Sequence, residues 1–152
     1  MPARFLGVHN GEQCFEWTLR NADGTFQVKV SSLGCAVTSV IVDKKDVVLG
    51  YDNLRSAVRG KQNFGTIVGR CANRIKGGKF VIDGTQTQLE SLNDGANHMH
   101  GGATGFFSRM FRLVETRSNA DYVSIKLGYH SIDGEEGYPG SVDIFFLLRV
   151  YH

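Results

Sequence analysis

The chain has 152 residues, 41% hydrophobic and 21% charged, with a net charge of +2. That length falls in the single-domain range and allows a real core. The composition argues against wholesale disorder, and the charge is too small to argue for nucleic acid or an anionic membrane as partner.

Glycine is abundant at 19 residues and proline scarce at two, a balance that suits tight turns between strands better than a helical bundle. Cys14, Cys35 and Cys71 show no short repeated spacing, so free thiols in a reducing compartment are expected rather than a zinc or disulfide framework. Residues 1–9 lack the unbroken apolar core of a secretion signal, and no window approaches the length of a membrane span. The expected location is the cytoplasm.

Taken in order, Phe15 to Leu19 and Thr25 to Val30 read as strands around an Asn21–Gly24 turn. Phe26, Val28 and Val30 alternate with polar neighbours, which predicts one buried and one wet face. Cys35 to Val42 reads as another strand, and the polar turn Asp43–Asp46 leads into Val47–Gly50. Asp52 to Arg59 is the single predicted helix, with Asp52 as its N-cap and Gly60 as its end. Phe64 to Val68 then leads into Gly69-Arg70-Cys71-Ala72-Asn73-Arg74-Ile75.

Lys79–Ile82, Asp83-Gly84 and Thr85–Leu89 make the clearest hairpin, with Asp-Gly suited to a type I′ turn. Phe111 to Thr116 and Tyr122 to Tyr129 flank the turn Ser118–Asp121. The loop Asp133–Gly140 ends in Pro-Gly, a strong turn signal, and the apolar strand Val142 to Tyr151 follows. No repeat, linker or internal boundary is visible, so residues 1–152 are read as one unit. The expected architecture is all-β, an antiparallel sandwich.

Two loops concentrate the chemistry: Gly69–Ile75, and His98-Met99-His100-Gly101-Gly102. Arg supplies a planar fork of donors, Asn a donor and an acceptor, and His either, so the pair could contact a small polyol from several sides. His98 and His100 at i, i+2 would share a face in extended chain and form a metal edge, with His130 or Asp94 as a third ligand. The spacing matches no common metal motif, and a histidine satisfied by loop carbonyls is the commoner fate of such a residue.

Arg70, Arg74, Lys76 and Lys79 form a basic cluster, but no helix pattern follows Gly77-Gly78 to cradle a phosphate. Solvated charges are the ordinary reading. Arg74 is retained because it adjoins Asn73 and the two could clamp vicinal hydroxyls. Glu135 and Glu136 read as turn decoration, since adjacent residues in extended chain point apart and cannot act as matched acid and base. Cys71, beside two arginines, could be a reactive thiol, though a small buried residue is the expectation.

Gly69-Arg70-Cys71-Ala72-Asn73-Arg74-Ile75 and His100-Gly101-Gly102 with Gly105-Phe106, together with Phe80, Asp83-Gly84, Leu89 and Asn93, closely resemble the aldose 1-epimerases, or galactose mutarotases. The resemblance extends upstream to Ser32–Cys35 and Asp46–Tyr51 and downstream through Asp133–Gly140. Phe111 stands where relatives often carry tryptophan. The resemblance implies a large antiparallel β-sandwich with an open sugar cleft. It also implies interconversion of the α and β anomers of galactose or glucose, with no metal and no organic cofactor. By the same resemblance Asn73 and Arg74 bind substrate, and His100 both binds sugar and supports the chemistry.

Mutarotation needs a base at the anomeric hydroxyl and an acid at the ring oxygen, and arginine cannot serve as that acid. The family draws its acid histidine and base glutamate from its C-terminal half, which this chain is expected to lack. Two readings follow. The chain is the N-terminal part of an aldose 1-epimerase, or it is a catalytically inactive, partial carbohydrate-binding β-module. The apolar strand at 142–151 predicts an unpaired edge and self-association.

Overall fold

The computed structural model describes Met1, residues 3–60 and residues 62–152. Strand β1 (Ala3–His9) pairs with β2 (Glu12–Arg20), β2 with β3 (Phe26–Ser31), β3 with β4 (Val37–Val42), and β4 with the short β5 (Lys45–Asp46), all antiparallel. The β2–β3 turn forms because its side chains replace ladder bonds: Asn21 Oδ1 accepts from the Phe26 N–H at 2.9 Å and Asp23 Oδ1 from the Thr25 N–H at 2.9 Å.

Helix α1 (Leu54–Arg59) follows, and then two small ladders lie between the sheets in sequence. Strand β6 (Arg74–Lys76) pairs with β9 (Asn97–Met99), and β7 (Lys79–Ile82) with β8 (Thr85–Gln88). The β7–β8 hairpin turns through Asp83 at φ 48° and Gly84 at φ 77°, the two positive φ values of the expected type I′ turn. Strands β10 (Arg112–Ser118), β11 (Tyr122–Ser131) and β12 (Val142–Tyr151) form a second antiparallel sheet in that order.

Alternation along the strands puts the two sheets face to face. Trp17 and Leu19 of β2 and Val28 and Val30 of β3 share one core with Ile125 and Leu127 of β11 and Val150 of β12, closed by Phe106 and Phe111. Burying each such side chain contributes about 1.5–3 kcal/mol over leaving it exposed, so this two-layer packing is the main force holding the sheets together. The fold is all-β, as the sequence indicated.

Several boundaries differ from the sequence reading. The helix is capped by Asn53, not Asp52: Asn53 Oδ1 accepts from the Ser56 N–H at 2.9 Å. The polar turn expected over Asp43–Asp46 is shorter: Asp43 and Lys44 make it, at φ 47° and 69°, and Lys45–Asp46 already pair with β4 as β5. The Asp46 side chain accepts from the backbone N–H groups of Val40 and Val48. The strand expected from Cys35 begins at Val37, because Cys35 sits at φ 48° in the preceding turn. Strand β1 was not anticipated.

Candidate functional site

The β6–β9 ladder brings the two glycine-flanked loops together. It pairs Arg74 with Met99 and Ile75 with His98, and just beyond its end Asn73 meets His100. The His100 N–H donates to the Asn73 carbonyl at 3.1 Å, and the Asn73 N–H donates to His100 Nδ1 at 3.0 Å. Both residues lie in the left-handed region, at φ 65° and 54°, a conformation of non-glycine residues that surrounding bonds must hold. Asn73 is suited to it, since its Oδ1 accepts from the next N–H, that of Arg74, at 2.9 Å.

One chemical consequence follows directly. Nδ1 of His100 accepts a backbone hydrogen bond, so the neutral ring carries its proton on Nε2 and offers a donor there. Beside it, the Arg74 guanidinium is anchored by Nε to Asp94 Oδ2 at 2.5 Å and reaches Asn73 Oδ1 from Nη1 at 3.5 Å. Nη2 has no protein partner among the described residues. Asn73 and Arg74 are exposed and His100 half-buried. All three residues singled out in the sequence therefore sit side by side on one surface.

What holds them was less visible in the sequence. Asn93 brackets the end of β9: its Oδ1 accepts from the Met99 N–H at 2.7 Å, and its Nδ2 donates to the carbonyls of Met99 at 2.9 Å and Gly102 at 3.0 Å. Gly101, at φ 84°, passes so close to Gly69 that a Cβ would fall 1.6 Å from the Gly69 oxygen. The two loops meet through backbone, which only glycine permits.

Glu136 was expected to be a turn decoration, and the structure corrects this. Its carboxylate accepts from the Thr104 N–H at 2.6 Å, the Thr104 hydroxyl at 2.5 Å, the Ser91 hydroxyl at 2.9 Å and the Ala103 N–H at 3.3 Å. Burial pushes this carboxyl up, but the bonds from Thr104, Ser91 and Ala103 outweigh it and hold it below the usual range. Glu135 points elsewhere, accepting from the hydroxyls of Tyr129 and Ser131 and pairing with Arg109 at 2.9 Å. Burial, then the bond to Glu135, push the Tyr129 phenol up to about 12.

Arg70 is likewise no solvated charge. Nε donates to Ser131 Oγ, Nη2 to the carbonyls of Ser131 and Ile132, and Nη1 to those of Pro139 and Gly140, at 2.7–3.2 Å. All five of its N–H donors are occupied, which leaves none for a phosphate.

His98 and His100 do not share a face. His98 is fully buried: Nδ1 donates to the Ser91 carbonyl at 2.8 Å, and Nε2 accepts from the Tyr138 hydroxyl at 2.9 Å. Because His100 leaves the ladder in the left-handed conformation, the i, i+2 alternation ends at Met99. Of the other suggested ligands, Asp94 holds Arg74, and His130 contacts Asp143 at 2.6 Å on the second sheet. Cys71 is exposed, not buried. Cavities of about 390 Å³, lined by Glu16, Tyr51 and Leu54 among others, and about 440 Å³, beside Trp17 and Met110, lie elsewhere. The gathered residues form an open wall.

Among the described residues no helix is long and apolar enough to cross a membrane. The family model described as aldose 1-epimerase matches residues 16–150. The galactose mutarotase of Bos taurus is 36% identical over 129 residues, spanning 82% of this chain and 36% of that protein. The Homo sapiens galactose mutarotase is 35% identical over 124 residues, 78% of this chain and 34% of that protein. The crystal structure of galactose 1-epimerase from Lactobacillus acidophilus NCFM superposes with a TM-score of 0.87 at 25% identity, over 99% of this chain and 45% of that one. The chain thus spans about a third of the length of these curated relatives. A shared two-sheet architecture and a family match over nearly the whole sequence lead to one conclusion: the chain belongs to the aldose 1-epimerase family.

Proposed function

We propose that this chain forms the sugar-binding wall of an aldose 1-epimerase acting on galactose or glucose, with Asn73, Arg74 and His100 as the contacts. The observation that carries the reading is the Asn73–His100 reciprocal pair. It fixes an Nε2–H donor beside the free end of the Arg74 guanidinium and the Asn73 amide. Donors of this kind, set on an open surface, suit the hydroxyl and ring oxygens of a pyranose. The names of the mutarotase relatives supply galactose; glucose enters as the other aldohexose to be tested.

In this reading the wall binds and orients more than it transfers protons. Ring opening requires a proton acceptor and a proton donor on opposite sides of the sugar. With Nδ1 holding a backbone N–H, neutral His100 is a hydrogen-bond donor and not a base. The nearby carboxylate of Asp94 is engaged by Arg74. That favours a second reading, in which this chain by itself binds sugar without equilibrating it.

The test is polarimetry on fresh α-D-galactose, alongside sugar titration followed by NMR. Binding that is lost in Arg74→Ala and His100→Ala supports the wall. Anomer equilibration by the intact chain faster than by these variants and buffer would remove the inactive-module reading. Absence of galactose and glucose binding at millimolar concentrations would overturn both.

A further inference from the structure

Asp94 adjoins Asn93, which brackets the end of β9, but its carboxylate is engaged elsewhere. A tight turn fixes where it starts. The Asp94 N–H donates to the Asn97 carbonyl at 3.1 Å and the Asn97 N–H to the Asp94 carbonyl at 3.0 Å, around Gly95 at φ 61°. Asn97 opens β9 and pairs with Lys76 of β6, so the turn is joined to the ladder that carries Arg74. From there Asp94 Oδ2 accepts from Arg74 Nε at 2.5 Å. The bond takes Nε and leaves the Nη1 and Nη2 end, where Asn73 Oδ1 at 3.5 Å is the acceptor among the described residues.

We propose that Asp94 is a positioning and specificity-determining residue: it holds Arg74 in one pose for a neutral sugar and sets the wall against anionic ones. This rests on the reading of Asn73, Arg74 and His100 as a sugar wall. In this chain the Arg74 and Asp94 side chains are 52% and 39% exposed, and an ion pair in that setting contributes little to stability. What it changes is freedom. An arginine side chain has many rotamers, and ordering it on binding weakens affinity unless it is ordered beforehand. Asp94 orders it beforehand, from a backbone turn that is itself paired.

The second effect is charge. A lone guanidinium on the wall would draw carboxylated or phosphorylated sugars more strongly than neutral ones. Arg70, in the same loop, has its donors occupied by Ser131, Ile132, Pro139 and Gly140, so Arg74 is the arginine of that loop with donors left for an anion. Because Asp94 Oδ2 sits on Nε, an anionic sugar gripping the Nη1 and Nη2 end meets a carboxylate within one Debye length. A neutral hydroxyl takes the same donors without that repulsion.

The experiment is NMR titration of the full 152-residue chain with D-galactose and with D-galacturonate, for wild type, Asp94→Ala and Asp94→Asn. Alanine removes both the hold and the charge. It should weaken galactose about three- to tenfold in Kd, the effect of ordering one long side chain on binding. Asparagine keeps an acceptor for Nε without the charge. It should recover most of that loss while raising the galacturonate-to-galactose affinity ratio about three- to tenfold. A readout free of sugar is the Arg74 Nε–H cross-peak, assigned by its loss in Arg74→Ala. It should stand apart from the free-arginine position in wild type and collapse onto it in Asp94→Ala. Both Asp94 variants should melt within about 2 °C of wild type. Equal galactose binding by wild type and Asp94→Ala, no recovery in Asp94→Asn, an unchanged ratio, a larger melting shift, or a wild-type Nε–H at the free position would each overturn the proposal, and wild-type binding would leave the wall standing. A wild-type chain that binds no galactose would overturn this proposal together with the reading of the wall as a galactose site.

Discussion

Replacing Glu136 by Gln tests whether the Gly101–Thr104 loop is held by charge. The carboxylate accepts from two backbone N–H groups and two hydroxyls. Glutamine is nearly isosteric but turns one acceptor oxygen into an NH2 donor facing other donors. A hydrogen bond to a charged group contributes about 1.5–3 kcal/mol when buried. Glu136 is only half-buried, so the loss of one to two such bonds is worth about 2 kcal/mol. For a chain of this size that is a fall of roughly 4–8 °C in Tm.

The sign with pH is fixed by the lowered carboxyl. A group whose folded pKa lies below its unfolded one contributes stability that is fully present above the unfolded value, about 4.3 for glutamate. That stability is lost as pH falls through the lower folded value. Urea denaturation at pH 7 should therefore separate wild type from Glu136→Gln by about 2 kcal/mol, and at pH 3 the gap should have narrowed. A gap under about 0.5 kcal/mol at pH 7, or one unchanged at pH 3, would refute the reasoning and leave packing as the cause of any effect.

Arg70→Lys keeps the charge but cannot span five acceptors; it should lower stability by about 2–3 kcal/mol, read by the same denaturation. Tyr138→Phe leaves Nε2 of buried His98 without its donor and should destabilise by about 1–3 kcal/mol, whereas joint replacement with His98→Phe should recover part of that loss. Long-range 1H–15N NMR at neutral pH should show His100 as the Nε2–H tautomer and His98 as the Nδ1–H tautomer. The same pattern at both rings would contradict the bonding described here.

Strand β1 and the two-residue β5 were not legible in the sequence. Strands β2, β3, β4, β10, β11 and β12 were, as alternating or continuous apolar runs of sufficient length, and so was the Asp83-Gly84 hairpin, because its turn chemistry is local. The β6–β9 ladder was not. Three residues are too few for periodicity, and the pairing spans more than twenty residues. Asn73, Arg74 and His100 were found through their motif, and the structure adds how they meet. Arg70 and Glu136 were misjudged because their partners lie 61–70 and 32–45 residues away. An arginine in a glycine-rich loop and a glutamate in a turn both look solvated until the chain is folded over them.

The reach of Arg70 has a kinetic consequence. Its acceptors on residues 131–140 frame the connection between β11 and β12, so the Gly69–Ile75 loop reaches its final position only when that hairpin is in place. The loop closed by this contact is long, and non-local contacts of this kind are the slow part of folding. The β7–β8 hairpin can form early on its own local signals. The loop that carries Asn73 and Arg74 is instead tied through Arg70 to the β11–β12 hairpin, so a lesion along β11–β12 is expected to slow the placing of that loop from a distance.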